Sequence, residues 1–202
     1  MRDKVLSIVM ITVPERAATF QKLRQKVMQQ IGECFKIHPT LGTVEIVEVS
    51  GDRTDKGGKS IGEKRQEGLN RSIGKYVCWL DDDDNISPDY VETLLRLAYT
   101  DPDVLAFNSF AVFDNFWCLI QMNLDYIVDE QAAPGIVHRR PYHVCGFRRS
   151  ILNQCVFPNA NWDEDTGFLA QVWPKCKSQS KTEAILHEYN RLTKSIAWES
   201  VQ

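Results

Sequence analysis

The sequence predicts an α/β fold whose first half is a parallel, doubly wound sheet with helices on both faces. Three observations predict it. Short apolar runs rich in β-branched and aromatic residues recur at Val5–Val13, Val44–Val49 and Tyr76–Leu80. Stretches with helical spacing separate and follow these runs, and a turn or cap signal stands at each junction. Strands that alternate with helices pair in parallel through crossovers.

The elements follow in order. Val5–Val13 reads as a strand buried on both faces and ends at Pro14. Phe20, Leu23, Val27 and Ile31 mark one face of an amphipathic helix over Thr19–Ile31. After the second strand, Gly51–Gly58 is a glycine-rich charged loop. Ser60-Ile61-Gly62-Glu63 then has the form of a capping box, opening a helix to about Ile73 that Gly74 ends. The third strand delivers the chain into Asp81-Asp82-Asp83-Asp84. Ser87-Pro88 is expected as the cap and first residue of a helix carrying Val91, Leu94, Leu95 and Ala98 on one face. Beyond Asp101 the pattern changes. Val104–Phe113 and Phe116–Ile120 read as strands with no long helix between them, so the second half is a mixed or antiparallel extension. Asn161-Trp162-Asp163-Glu164 offers a helix start with an acidic first turn, stopped by Pro174, and Ala184–Tyr189 is a last strand.

The 202 residues carry 24 Lys+Arg against 27 Asp+Glu, a net charge of −3, with 43% hydrophobic residues. One core is the default at this length. The slightly acidic balance lacks the basic footprint of a nucleic-acid binder. No apolar run approaches the roughly 20 residues that span a bilayer, and Arg2-Asp3-Lys4 leads into no cleavable signal. The six cysteines never approach metal-ligand spacing and read as reduced, buried side chains of a cytoplasmic protein.

Four carboxylates at the carboxyl end of a strand stand where open α/β sheets bind ligands. Strand alternation would aim Asp81 and Asp83 to one side and Asp82 to the other, a pair of oxygens suited to Mg²⁺ or Mn²⁺ beside a phosphate. A solvated acidic turn is the simpler alternative. Gly57-Gly58-Lys59-Ser60 before a helix imitates the end of a nucleotide-hydrolase P-loop, but Arg53 stands where that motif requires its first glycine.

A longer resemblance covers most of residues 5 to 170. Lys64-Arg65-Gln66-x-Gly68-x-x-x-Ser72-x-Gly74-x-Tyr76-Val77, running into Leu80-Asp81-Asp82-Asp83-Asp84-x-x-x-Pro88, resembles the central signature of family 2-like glycosyltransferases of the GT-A fold. Thr12-Val13-Pro14-Glu15-Arg16 resembles that family's first strand and nucleotide-binding loop. Gly146-Phe147-Arg148-Arg149, Phe157 and Asp163-Glu164-Asp165-Thr166-x-Phe168 resemble its acceptor-side strand and E-D motif. Gln66 and Ser72 depart mildly from the usual Asn and Ala.

The resemblance implies a single GT-A domain with a Rossmann-like mixed sheet over 1–202. Residues 1–100 form the nucleotide-sugar half, 101–193 the acceptor half, and 194–202 a loose tail. It implies an inverting hexosyltransferase that moves sugar from a nucleotide diphosphate sugar, a UDP-sugar being favoured, with Mn²⁺ or Mg²⁺. Thr12, Pro14, Glu15, Arg16, Asp52, Lys64, Arg65, Asp81, Asp82 and Glu164 are then placed around the nucleotide sugar. Asp83, Asp81 and the late His187 are placed at the metal. Asp165 matches the catalytic carboxylate, and a carboxylate in a helix first turn stays ionised, as a general base must. His138 and His143, with Arg139, Arg140, Arg148 and Arg149, form a basic stretch that faces a diphosphate, an anionic acceptor or the acidic cluster. Trp162 is a candidate for stacking on base or sugar, and Trp79 and Phe147 read more simply as core. The acceptor stays open among a glycan, a protein, a small molecule and hydroxylated DNA bases. A domain that binds nucleotide sugars without transferring them is the other reading.

Overall fold

The computed structural model describes residues 4–113, 116–127 and 130–190. The expected tail at 194–202 lies outside them. In chain order the elements are β1 (Lys4–Thr12), α1 (Ala17–Ile37), β2 (Thr43–Ser50), α2 (Ile61–Arg71), β3 (Tyr76–Asp81), β4 (Asn85–Ile86), α3 (Tyr90–Leu97), β5 (Val104–Phe113), β6 (Phe116–Met122), β7 (Glu130–Ala133), β8 (Ile136–Arg139), β9 (Gly146–Arg148), α4 (Arg149–Leu152), α5 (Glu164–Val172) and β10 (Gln179–Asn190).

They form one mixed sheet in the order β2-β1-β3-β9-β5-β6-β8-β7, with β10 paired to β5 and β4. β2, β1 and β3 are parallel. From β1 the chain crosses to one neighbour through α1, then back over β1 to the other through α2. Crossovers between parallel strands are right-handed as a rule, and two that run in opposite directions across the sheet place their helices on opposite faces. Sheet strands covered twice must be apolar along their length. Accordingly Ile8, Val9, Met10, Val77, Cys78, Trp79 and Leu80 are fully buried. Each of the Ile, Val, Met and Leu side chains among them contributes about 1.5–3 kcal/mol of burial free energy.

The expected α/β class holds, and the antiparallel extension follows after Asp101: β9 runs against both β3 and β5, and β6 against β5. The capping box at Ser60 is complete. Ser60 Oγ accepts from Glu63 N at 3.1 Å, and the Glu63 carboxylate accepts from Ser60 N at 2.8 Å.

Two expected helix starts are corrected. α3 begins at Tyr90 with Asp89 as its cap residue, because Ser87-Pro88 is spent in a turn closed from Tyr90 N to Ser87 O. α5 begins at Glu164, since Asp163 takes a left-handed backbone, φ 57°, that breaks any helix running from Asn161. Asn161 instead caps α2 across the fold. Its Oδ1 accepts from Ile61 N at 3.0 Å, and Ala160 O accepts from Gly62 N at 3.0 Å. All six cysteines are buried and unbridged, as expected, and no helix among the described residues is long and apolar enough to cross a membrane.

The seam between α2 and residues 158–161 leaves no room for a side chain at Gly62, where an added Cβ would meet Pro158 O at 1.9 Å. In an open helix Gly→Ala is favourable by up to about 1 kcal/mol. Here the sign reverses. Gly62→Ala is expected to lower unfolding stability by about 1–3 kcal/mol, as overpacking does, and urea unfolding of the two proteins measures it.

Candidate active site

The parallel register brings Thr12 at the end of β1, Ser50 at the end of β2 and Asp81 at the end of β3 to one edge of the sheet. Lys64 and Arg65, from the first turns of α2, meet that edge and serve different purposes. Lys64 Nζ donates to Gly51 O at 2.6 Å and Thr12 O at 3.2 Å, tying the ends of β1 and β2 together. Its burial pushes its pKa down, against the pull of Asp82.

Arg65 is the electrostatic centre of the site. Its side chain is 3% exposed. One terminal nitrogen contacts both Asp81 carboxylate oxygens at 2.9 and 3.1 Å, and the other donates to Glu164 at 2.6 Å and lies 3.6 Å from Asp165. Burial opposes its charge, but Asp81, Glu164 and Asp165 together raise its pKa above the ordinary value and keep it cationic. This one guanidinium binds the end of β3 to the first turn of α5.

The acidic run does not continue the strand alternation. β3 ends at Asp81 and the chain turns, with Asp84 N donating to Asp81 O at 3.1 Å. Asp82 and Asp83 consequently share Arg16, at 2.8 and 3.2 Å, and Thr12 Oγ1 donates to Asp82 at 2.9 Å. Pro14 opens the single turn Pro14–Arg16 that delivers this guanidinium. Burial raises the Asp82 pKa against the opposing effect of Arg16. Asp84 turns inward, accepting from Asp81 N at 2.8 Å, and lies 3.2 Å from His187 Nε2. The other His187 nitrogen is 2.7 Å from Ser109 Oγ. The structure therefore sets buried His187 against Asp84 and Ser109, Asp81 against Arg65, and Asp83 against Arg16. Among the described residues no three His, Cys, Asp or Glu side chains converge on a point that would hold a metal ion.

Asp165 sits in the first turn of α5 with 13% of its side chain exposed. Thr166 N donates to its Oδ1 at 2.7 Å, and its Oδ2 accepts from the Tyr142 hydroxyl and lies 3.3 Å from His143 Nδ1. Burial would raise its pKa, but His143, Arg65 and Tyr142 outweigh that and hold it well below the usual carboxylate range. Its neighbour Glu164 goes the other way, its pKa raised by burial against the pull of Arg65. Tyr142 and His143 precede β9, where Trp79 N donates to His143 O at 3.1 Å and so fixes this segment against β3. Tyr142 carries no mark in the sequence beyond following Arg139 and Arg140. The guanidinium of Arg139 lies 4.0 Å over its ring.

Other expected residues spread out. Glu15 is exposed and pairs with Lys56, joining the loop after β1 to the loop after β2, where Asp52 is also exposed. The basic stretch divides. Arg148 pairs with Asp101 and Asp103, and its register partner is Tyr76. That is five residues, roughly 17 Å, from Asp81 along β3. Arg149 binds Gly74 O at the same far end. Arg140 binds Tyr126 O, and His138 contacts Gln121. Trp79 and Phe147 are fully buried, while Trp162 is 77% exposed.

The P-loop reading fails on the helix itself. The first amides of α2 are taken by Asn161, Ala160 and Ser60, and Lys59 is bound to Glu67 at 2.5 Å, so neither amides nor lysine face a phosphate.

Comparison with known proteins agrees. Residues 40–156 match Glycosyl transferase family 2. Over 57 residues the chain is 33% identical to "Putative glycosyltransferase EpsH" of Bacillus subtilis (strain 168), covering 28% of this chain and 17% of that protein. The fold is similar to the crystal structure of S. aureus TarS 1–349, with a TM-score of 0.63 at 14% identity, over 92% of this chain and 60% of that one. The complex of the same fragment with UDP-GlcNAc gives a TM-score of 0.62 at 13% identity, over 92% and 58%. The chain thus spans about 60% of the TarS fragment and a smaller part of EpsH. The family match contains Arg65, the acidic turn, Tyr142 and His143 and covers more than half of the sequence, so the chain belongs to glycosyl transferase family 2 and has the GT-A fold.

Proposed function

We propose that this domain transfers a sugar from a UDP-sugar to an acceptor hydroxyl with inversion at the anomeric carbon, using Asp165 as general base and a divalent cation at Asp83. The observation that carries the proposal is the Arg65 bridge, which fixes Asp81 and Asp165 on either side of one guanidinium. Donor-side and acceptor-side carboxylates are thereby held in one frame, as direct displacement at one carbon requires. The UDP-GlcNAc bound to TarS supports the choice of UDP for the donor.

The pKa of Asp165 is held below the usual carboxylate range, so it is ionised at neutral pH; its Oδ1 is anchored by Thr166 N, and an acceptor hydroxyl would meet Oδ2 in place of the Tyr142 hydroxyl. A carboxylate so stabilised is a weak base toward a resting alcohol. It gains driving force as the attacking oxygen bonds to the anomeric carbon and its proton becomes acidic. Thr12, Pro14 and Arg16 hold the acidic turn from the β1 side. Asp83 suits Mg²⁺ or Mn²⁺ chemically, since such ions bind one or two carboxylates and complete their shell from phosphate and water. The neighbouring Arg16, 34% exposed, is a cation already placed against the same carboxylates. When bound, the metal would offset the charge that grows on the leaving diphosphate.

Thermal unfolding tests the donor assignment. UDP with Mn²⁺ is expected to raise the midpoint, with a smaller rise for Asp83→Asn, and ATP with Mg²⁺ is expected to leave it unchanged. Stabilisation by ATP with Mg²⁺ and none by UDP with Mn²⁺ overturns the proposal.

A further inference from the structure

We propose that His143 is a positioning residue for transfer, one that aims the base rather than carrying charge to the donor. The inference rests on the reading of Asp165 as the general base. His143 is 6% exposed and stands between two groups whose hydrogen-bonding sense is fixed. Arg65 Nη2 lies 3.2 Å from His143 Nε2. A guanidinium has only donors, so Nε2 must accept, and the ring's proton sits on Nδ1. That nitrogen faces Asp165 Oδ2 at 3.3 Å, and an ionised carboxylate has only acceptors. Only the neutral Nδ1–H tautomer offers Arg65 an acceptor, and it leaves a buried Nδ1 proton that makes no well-formed hydrogen bond in this structure, with the Asp165 carboxylate as its neighbour at 3.3 Å. Burial and the Arg65 charge disfavour the imidazolium, in keeping with this geometry.

The arrangement settles which way Asp165 points. Thr166 N holds Oδ1, while Oδ2 accepts from the Tyr142 hydroxyl and faces the Nδ1 proton of His143 at 3.3 Å. An acceptor hydroxyl taking the place of the Tyr142 hydroxyl would leave His143 in position, because its backbone is pinned to β3 through Trp79 N. His143 therefore keeps the carboxylate aimed during the exchange.

Two substitutions separate the two sides of the ring. The side-chain amide nitrogen of Asn overlies Nδ1 of His, so His143→Asn keeps a donor facing Asp165 and loses the acceptor for Arg65. The amide oxygen of Gln reaches the Nε2 position, so His143→Gln keeps an acceptor for Arg65 and loses the donor to Asp165. With a UDP-sugar as donor, kcat is expected to fall about 10- to 100-fold in His143→Gln, the loss of one donor facing a charged group. In His143→Asn it is expected to stay within about threefold of wild type, with KM for the donor unchanged in both. Equal losses in the two variants, or a loss confined to donor KM, overturn the inference. Should both variants fold poorly, the wild-type protein still decides. Imidazole ¹⁵N shifts of the neutral Nδ1–H tautomer support it, and those of the Nε2–H tautomer or the imidazolium overturn it. The parent reading fails separately: if Asp165→Asn transfers normally the base is elsewhere, whereas an inactive Asp165→Asn with equal His143 variants leaves the base in place and removes only the histidine's role.

Discussion

Asp165→Asn is expected to lower kcat for sugar transfer by about 10²- to 10⁴-fold, the range that a general base supplies, while UDP still binds. The two effects separate because of what surrounds the side chain. Asparagine retains an oxygen to accept from Thr166 N at the start of α5. Arg65 keeps its closer contacts to Asp81 and Glu164, at 2.9 and 2.6 Å. The proposed donor edge formed by Thr12, Arg16 and Asp82 does not touch Asp165. Initial transfer rates, with donor KM and UDP binding measured on the same preparation, check the prediction. Transfer within about threefold of wild type shows that another group takes the proton. The pH profile adds a second constraint. The folded pKa of Asp165 lies below the ordinary 3.8, with His143, Arg65 and Tyr142 overcoming burial. No acid limb from this residue is therefore expected in kcat/KM between about pH 5 and 8. The same sign governs stability: a depressed carboxylate stabilises the fold above its unfolded pKa, and that contribution is lost as pH falls below about 4.

What the sequence made legible was local. The buried strands announced themselves as apolar runs, and Ser60 with Glu63 as a cap three residues apart, because both signals lie within one turn or strand of chain. The bounds of β5, Val104–Phe113, coincide with the apolar run itself. β7 and β8 left little trace, being four residues long and partly polar, and β9, three residues long, was marked by the family resemblance of Gly146-Phe147-Arg148-Arg149 and not by periodicity. The Asn161 cap of α2 joins residues 100 apart in sequence, a pairing that no local pattern encodes. Asp81 to Asp84 were found by their place after a strand, but their directions followed from the turn after Asp81, and alternation was the wrong rule once the ladder stopped. The site shows the same division. Asp165 and Arg65 were found as single residues, while the contact between them depends on how α5 packs against α2. Tyr142 and His143 acquire their meaning from that packing and from the tie to β3.

Arg65→Met is expected to be among the most damaging single changes in the fold, costing about 3–5 kcal/mol at neutral pH, as the removal of one partner from a buried ion cluster does. The side chain is 3% exposed and faces Asp81, Glu164 and Asp165, whose own side chains are 24%, 6% and 13% exposed. Methionine fills much of the volume but leaves those carboxylates facing an apolar group. They can relieve the cost only by taking up protons. Glu164 is the first to do so, because burial already raises its pKa. A raised folded pKa means that the folded state holds the proton more tightly than the unfolded chain, so this relief grows as pH falls toward the carboxylate range. The stability deficit of Arg65→Met should thus be smaller at pH 5.5 than at pH 8, and urea unfolding at the two values measures it. Adding Glu164→Gln should recover part of the deficit at pH 8 and little at pH 5.5, since it makes permanent the neutral state that low pH favours. A deficit under about 1 kcal/mol, or one that grows as pH falls, shows that the guanidinium is not what balances these carboxylates. Arg65→Lys discriminates charge from shape. It keeps the cation, but a single ammonium lacks the planar fork that meets Asp81 with one nitrogen and Glu164 with the other. Its expected signature is therefore a smaller stability loss than Met and a large loss of transfer, because the proposed base Asp165 and Asp81 are no longer held in one frame.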